Sequence, residues 1–159
     1  MPPTPTTSVV ATPTPTVTEP SDWTVSLSVA AGNEGSNQNL SFGAKQNATN
    51  GFDVGLDVPH PPLAPNSTFD AYFPSASDLF PQLDKDYQAP LVDTNDIRVW
   101  ELIVTSISSD ITLSWNISEI PPELVILIQT DTSVVDVRTQ SSMVIPAGDN
   151  IVTMSAFRD

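Results

Sequence analysis

Histidine occurs once in the chain, at position 60, and cysteine is absent. A disulfide, a thiolate nucleophile and a cysteine-bound zinc are therefore excluded, and one imidazole cannot build the usual multi-histidine metal site. His60 stands between Pro59 and Pro61, on what should be an exposed loop. A hydrolase triad of His60, Ser67 or Ser75 and a nearby aspartate lacks the Gly-x-Ser-x-Gly elbow that would present a serine for attack. A non-catalytic role is expected for this histidine. The 19 acidic residues always allow two carboxylates to be paired for glycoside hydrolysis, but without a cleft or a flanking aromatic motif the pairing carries no information.

Asp53 and Asp57 flank Gly55 four residues apart, with Asn50 just upstream. Hard oxygen ligands in a tight loop suit calcium, and Asp84, Asp86, Asp93 or Asp96 would have to fold back to complete such a site. The third acidic ligand and the closing bidentate glutamate of an EF-hand are missing. The favoured expectation is that both carboxylates accept backbone N–H groups in Asx-turns. Calcium is the one cofactor left open.

Aromatic side chains raise a carbohydrate platform, because sugar rings stack on exposed aromatic faces. Alternation assigns Trp23 and Trp115 to inward sets, and Trp100 shares a face with Leu102 and Val104, so all three are expected in the core. Tyr72, Phe73 and Tyr87, in a proline-rich stretch, are the candidate ligand contacts. Asn39, Asn47, Asn66 and Asn116 each begin an Asn-X-Ser/Thr sequon without an intervening proline, which makes them candidate glycosylation sites if exposed.

Five Lys and Arg against 19 Asp and Glu give a net charge of -14. So acidic a surface repels phosphate backbones and anionic headgroups, which argues against nucleic-acid binding. The longest uninterrupted apolar run, Leu124 to Ile128, is far short of the roughly 20 residues of a membrane helix.

The elements that must position these groups follow from the patterning. Residues 1–21 form a Thr/Pro-rich linker, with six prolines and seven threonines in its first 20 positions. It is expected to be disordered and extended. Met1 is followed by neither a basic n-region nor an apolar h-region, so no signal peptide is expected there and the chain is expected to be a piece of a longer protein. Residues 22–159 are expected to form a single domain.

Trp23, Val25, Leu27 and Val29 alternate with polar residues in a half-buried strand, and Leu40 and Phe42 share a face in its hairpin partner. Seven prolines between Pro59 and Pro90 leave no room for regular strands of more than a few residues, so residues 44–96 are expected to be a long ordered excursion, with short strands around Phe69 to Phe73. Arg98 to Ile107 and Ile111 to Ile117, joined by Ser108-Ser109-Asp110, make the clearest hairpin. Strands are expected at Leu124 to Thr130, Val134 to Arg138, Ser141 to Ile145 and Ile151 to Phe157. The core should hold Trp23, Leu27, Phe42, Trp100, Leu102, Leu113, Trp115 and Ile126. Together these predict an all-β, Ig-like antiparallel β-sandwich.

The segment Phe42 to Pro62, FGAKQNATNGFDVGLDVPHPP, resembles a signature of secreted bacterial and archaeal multidomain surface proteins. Trp23, Phe42-Gly43, Ala48-Thr49, Gly51-Phe52-Asp53, Gly55-Leu56-Asp57, Pro61-Pro62, Tyr72-Phe73, Trp100 and Thr112-Leu113-Ser114-Trp115 carry the resemblance, which covers most of residues 22–158. It implies an Ig- or fibronectin-like module near anchoring, sorting or dockerin elements, without assigned catalytic residues. The Thr/Pro linker is similar to stalks of archaeal surface proteins. The expected function is thus a non-catalytic extracellular module, a spacer, adhesion or assembly unit whose partners are other protein modules or surface-layer components. The alternatives are a carbohydrate-binding module contacting polysaccharide and, in another class, a hydrolase.

Overall fold

The structure, a computed structural model, describes residues 21–117 and 120–159. The disordered linker expected over residues 1–21 lies outside the described residues except for Ser21. Among the described residues there are strands and turns but no helix, so none is long and apolar enough to cross a membrane.

β1 (Trp23–Ala31) and β2 (Gly35–Ala44) form the expected antiparallel hairpin. Trp23, Val25, Leu27 and Val29 of β1 are buried, as are Leu40 and Phe42 of β2. Gly43 lies opposite Thr24, and a Cβ at that position would run into the carbonyl oxygen of Trp23. Only glycine lets the two strands approach so closely there.

The proline-rich stretch is not an excursion beside the sheet, because it contributes β3 (Val58–Pro59), β4 (Asp70–Pro74) and β5 (Gln82–Gln88). Pro61, Pro62 and Pro65 lie in the loop between β3 and β4, and the other four of its seven prolines fall at or near strand ends: Pro59 and Pro74 close β3 and β4, and Pro81 and Pro90 flank β5. The proline-free interval between them is free to join the ladder. β5 runs parallel to β2, with Ser41 opposite Lys85 and Phe42 opposite Asp86. The sheet is therefore mixed rather than wholly antiparallel, and the chain from Lys45 to Pro81 supplies the crossover that a parallel pair requires.

β6 (Ile97–Ser106) and β7 (Ile111–Asn116) do not form the expected hairpin. β6 pairs with β4 and with the long C-terminal strand, Gly148–Arg158, whereas β7 pairs with β1 and with Ser142–Ile145. Numbering β8 (Leu124–Gln129), β9 (Val134–Asp136), β10 (Ser142–Ile145) and β11 (Gly148–Arg158), the sheet order is β10-β7-β1-β2-β5-β4-β6-β11-β8-β9, with β3 also on β5.

This sheet curls until its apolar face closes on itself. β1 and β6 are separated by three strands in the order, yet the Trp23 and Trp100 rings meet edge to face at 5.6 Å. β6 and β7 thus offer their inward residues from opposite sides of one core, and the turn between them carries the chain across it. Glu34 holds that turn from the β1–β2 hairpin. Its carboxylate accepts the N–H groups of Ile107, Ser108 and Ser109 at 2.7, 2.8 and 2.6 Å and the Ser108 hydroxyl at 2.8 Å. All eight residues expected in the core, from Trp23 to Ile126, are buried.

Candidate functional site

A part-buried polar cluster centres on His60. The loop after β3 is seated when the His60 backbone N–H donates to Gln82 O at 2.9 Å, which brings the ring against β5 and β4. Nδ1 lies 2.6 Å from Asp84 Oδ1 and Nε2 lies 2.9 Å from Asp70 Oδ1. The His60 and Asp84 side chains are each 8% exposed and that of Asp70 is 13% exposed. The exposed loop position expected for His60 is thus corrected: its proline neighbours stiffen a segment that packs inward.

An ionised carboxylate can only accept, so this geometry satisfies both contacts when each ring nitrogen carries a proton. Asn37 Nδ2, from β2, donates to Asp84 Oδ1 at 2.9 Å and to Ala71 O at 3.1 Å, and Ala71 N–H donates to Asp70 Oδ1 at 2.9 Å. The Tyr72 ring lies beside the imidazole at 5.9 Å. The cluster joins β2, the loop after β3, β4 and β5. Ser67 and Ser75 take no part in it: the Ser67 hydroxyl donates to Phe69 O at 2.8 Å, and the Ser75 hydroxyl accepts Ser77 N–H at 3.2 Å.

Asp53 and Asp57 lie in the turn before β3, where Gly55 adopts a φ of 87°. Asp53 accepts the Thr49 N–H at 2.6 Å and the Thr49 hydroxyl at 3.0 Å. Asp57 accepts the Asp53 N–H at 2.7 Å and the Tyr87 N–H at 2.8 Å. These are turn and capping contacts, the kind favoured from the residue types. Burial pushes the Asp57 carboxyl above its ordinary range, against the two N–H groups that favour its charged form. Among the described residues no three His, Asp or Glu side chains are grouped as a metal ion would require.

Asp86, on β5, is pushed up to about 7, first by burial and then by repulsion from Asp57 and Asp53. A strongly displaced carboxyl of this kind is the mark of a site of interest. Nothing in the local sequence Asp84-Lys85-Asp86 distinguishes it; the signal is the parallel register with Phe42, which turns its side chain toward the aromatic core.

The aromatic candidates separate. Phe73 is fully buried, with its ring 6.4 Å from Phe42. Tyr87 is buried, its hydroxyl 3.1 Å from the Ser41 hydroxyl, and the Lys45 ammonium lies 5.4 Å from its ring. Tyr72 is half-buried on His60. The sequon asparagines Asn39, Asn47, Asn66 and Asn116 are all exposed. Asn47 and Asn66 occupy left-handed turn positions, with φ of 72° and 63°, whereas the hydroxyl of the Asn39 sequon, on Ser41, is buried against Tyr87.

No protein-family model matches the sequence, and no curated protein or solved structure matches it either. What the site can do is therefore decided by its own geometry.

Proposed function

We propose that residues 22–159 form a non-catalytic module of a secreted or cell-surface protein, Ig-like in its layering, that serves as a spacer, adhesion or assembly unit. The observation that carries this is the use of His60. Both ring nitrogens are occupied by carboxylates of the same chain, so the residue best suited to move a proton is spent on fastening a loop to β4 and β5. The cluster fastens one arrangement of the backbone, because it joins β2, the loop after β3, β4 and β5. Support for the extracellular part comes from the four exposed sequon asparagines and the Thr/Pro-rich start of the chain.

Two measurements test the reading. Purified protein assayed at high concentration against generic ester and glycoside substrates should show no turnover above the blank. Turnover that disappears in a folded His60→Asn variant would overturn the non-catalytic assignment. An antibody raised against the domain should label intact cells of the source organism, and labelling only after lysis would overturn the location.

A further inference from the structure

The four sequons sit in different surroundings, although each begins with an exposed asparagine. In three of them the middle residue is tied into the core: Leu40 is 1% exposed, Ala48 is 7% exposed, and Ile117 packs against the core. Two of these three also have a committed hydroxyl. Ser41 is buried, its hydroxyl 3.1 Å from that of Tyr87, and the Thr49 hydroxyl donates to Asp53 Oδ1 at 3.0 Å while it accepts the Gly51 N–H at 3.1 Å. Asn116 belongs to β7, where it is paired with Ser26 of β1.

Asn66-Ser67-Thr68 is placed otherwise. It ends a run of eight exposed residues, Pro61 to Thr68, between β3 and β4. The contact of His60 Nε2 with Asp70 Oδ1 at 2.9 Å closes the base of this loop, and Phe69, just after the sequon, is buried. Both ends are therefore anchored and the stretch between them is held out to solvent. Ser67 N–H donates to Ala64 O at 3.1 Å and the Ser67 hydroxyl donates to Phe69 O at 2.8 Å. These partners are near neighbours in sequence, so the tripeptide can leave its seat without dislodging a strand. Beside it there is also space for a sugar. Ser67 and Thr68 border a groove of about 280 Å³ shared with Leu63, Tyr72 and Ile107, where Leu63 is 51% and Ile107 69% exposed. The apolar face of a sugar ring laid there would remove apolar surface from water.

Transfer of a sugar chain to asparagine requires the amide and the hydroxyl two residues on to be presented together to the transferring enzyme. A middle residue fixed in the core opposes that presentation, and a committed hydroxyl opposes it further. We infer that Asn66 is the N-glycan acceptor among the four sequons, modified on the folded domain by a glycosyltransferase that uses a lipid phosphate-linked sugar donor. Asn66 Nδ2 attacks C1 of the donor sugar. The new N–C1 bond replaces the C1–O bond to phosphate, the lipid phosphate leaves with that electron pair, and the amide proton passes to a base of the transferase. The inference rests on the secreted or cell-surface reading of the module.

Mass spectrometry of the full chain purified from its source organism tests it. Asn47 and Asn66 share the tryptic peptide Gln46–Lys85, and Asp53 and Asp57 between them allow an aspartate-directed protease to separate the two. A glycan mass is expected on the Asn66 fragment. It should be lost in Asn66→Gln and equally in Thr68→Ala, which keeps the acceptor amide, and it should persist in Asn47→Gln. A bare Asn66 overturns the inference, and antibody labelling of intact cells then shows whether the surface location stands without it or falls with it. Occupancy at Asn39, Asn47 or Asn116 equal to or above that at Asn66 also overturns it, because the fold would not have made the choice. So does a glycan that survives Thr68→Ala, since the attachment would then not read the sequon.

Discussion

Ser109 donates its backbone N–H to Glu34 Oε1 at 2.6 Å across a separation of 75 residues. With the Ile107 and Ser108 contacts, this bond ties the turn between β6 and β7 to the β1–β2 hairpin. Four donors converge on one carboxylate, and they hold it well below its ordinary value, at about 2.

A carboxylate depressed in the folded state contributes stability above its unfolded value, near 4.5, and loses it as pH falls toward about 2. Glu34→Gln should therefore lower the melting temperature at pH 7 by a few degrees. The gap from the parent protein should narrow through the window from pH 4.5 to 2. Melting curves of both proteins across that window are the check; a gap of constant size would mean that Glu34 acts through packing alone.

Asp86 gives the opposite sign. Burial and the neighbouring Asp57 and Asp53 carry it from an ordinary 3.8 to about 7, so between those pH values the native state keeps a proton that the unfolded chain has released. Stability then falls as pH rises through that window and levels off above it. One pH unit of such displacement corresponds to about 1.4 kcal/mol, and partial exposure reduces the sum, leaving an expected gain of about 2 kcal/mol for Asp86→Asn at pH 8. At pH 4 the variant and parent should unfold alike. Urea titrations at the two pH values decide it, and an equal gain at both would sink the electrostatic account.

How far the sequence could lead is visible in three strands. β1 was legible because Trp23, Val25, Leu27 and Val29 alternate without interruption, and β7 for the same reason. The pairing of β7 was not legible, since alternation states which side is buried but not which strand lies beside it. A short turn between two alternating runs suits a hairpin as well as a crossing of the core. β5 was hidden for a different reason. Gln82-Leu83-Asp84-Lys85-Asp86-Tyr87-Gln88 has the aspartates and lysine that strands disfavour, and it lies among prolines. Its place in the sheet comes from tertiary partners: His60 and Asn37 for Asp84, Asp57 for the Tyr87 N–H. Those partners are 24, 47 and 30 residues away. The candidate site shared this fate, because with 19 acidic residues available no spacing rule selects Asp70 and Asp84 as the pair that meets His60.

Removing the imidazole would leave the Asp84 and Asp70 side chains without the ring nitrogens that both of them contact. His60→Ala should cost about 1–3 kcal/mol for each polar group left unpaired. Asp84→Asn should cost less, since an amide still accepts from Asn37 or from the ring. In a double-mutant cycle the two changes should couple by about 1 kcal/mol or more. Denaturant midpoints for the four proteins supply the cycle, and additive effects would show that the short His60 to Asp84 contact contributes no more than packing.

Calcium provides the sharpest test of the turn before β3. Each carboxylate there already holds two donors: Asp53 accepts both groups of Thr49, and Asp57 accepts Asp53 N–H and Tyr87 N–H. A metal ion would have to compete with contacts that shape the turn and seat β5, while the eight aspartates from Asp53 to Asp96 respond to any cation through screening. Calcium chloride at a few millimolar and sodium chloride at equal ionic strength should therefore raise the melting temperature alike. Specific binding to the native state would add a mass-action increment that grows with calcium concentration after screening has saturated. A calcium-specific rise of that form, lost in Asp53→Asn but retained in Asp86→Asn, would show that the turn exchanges its backbone donors for a metal.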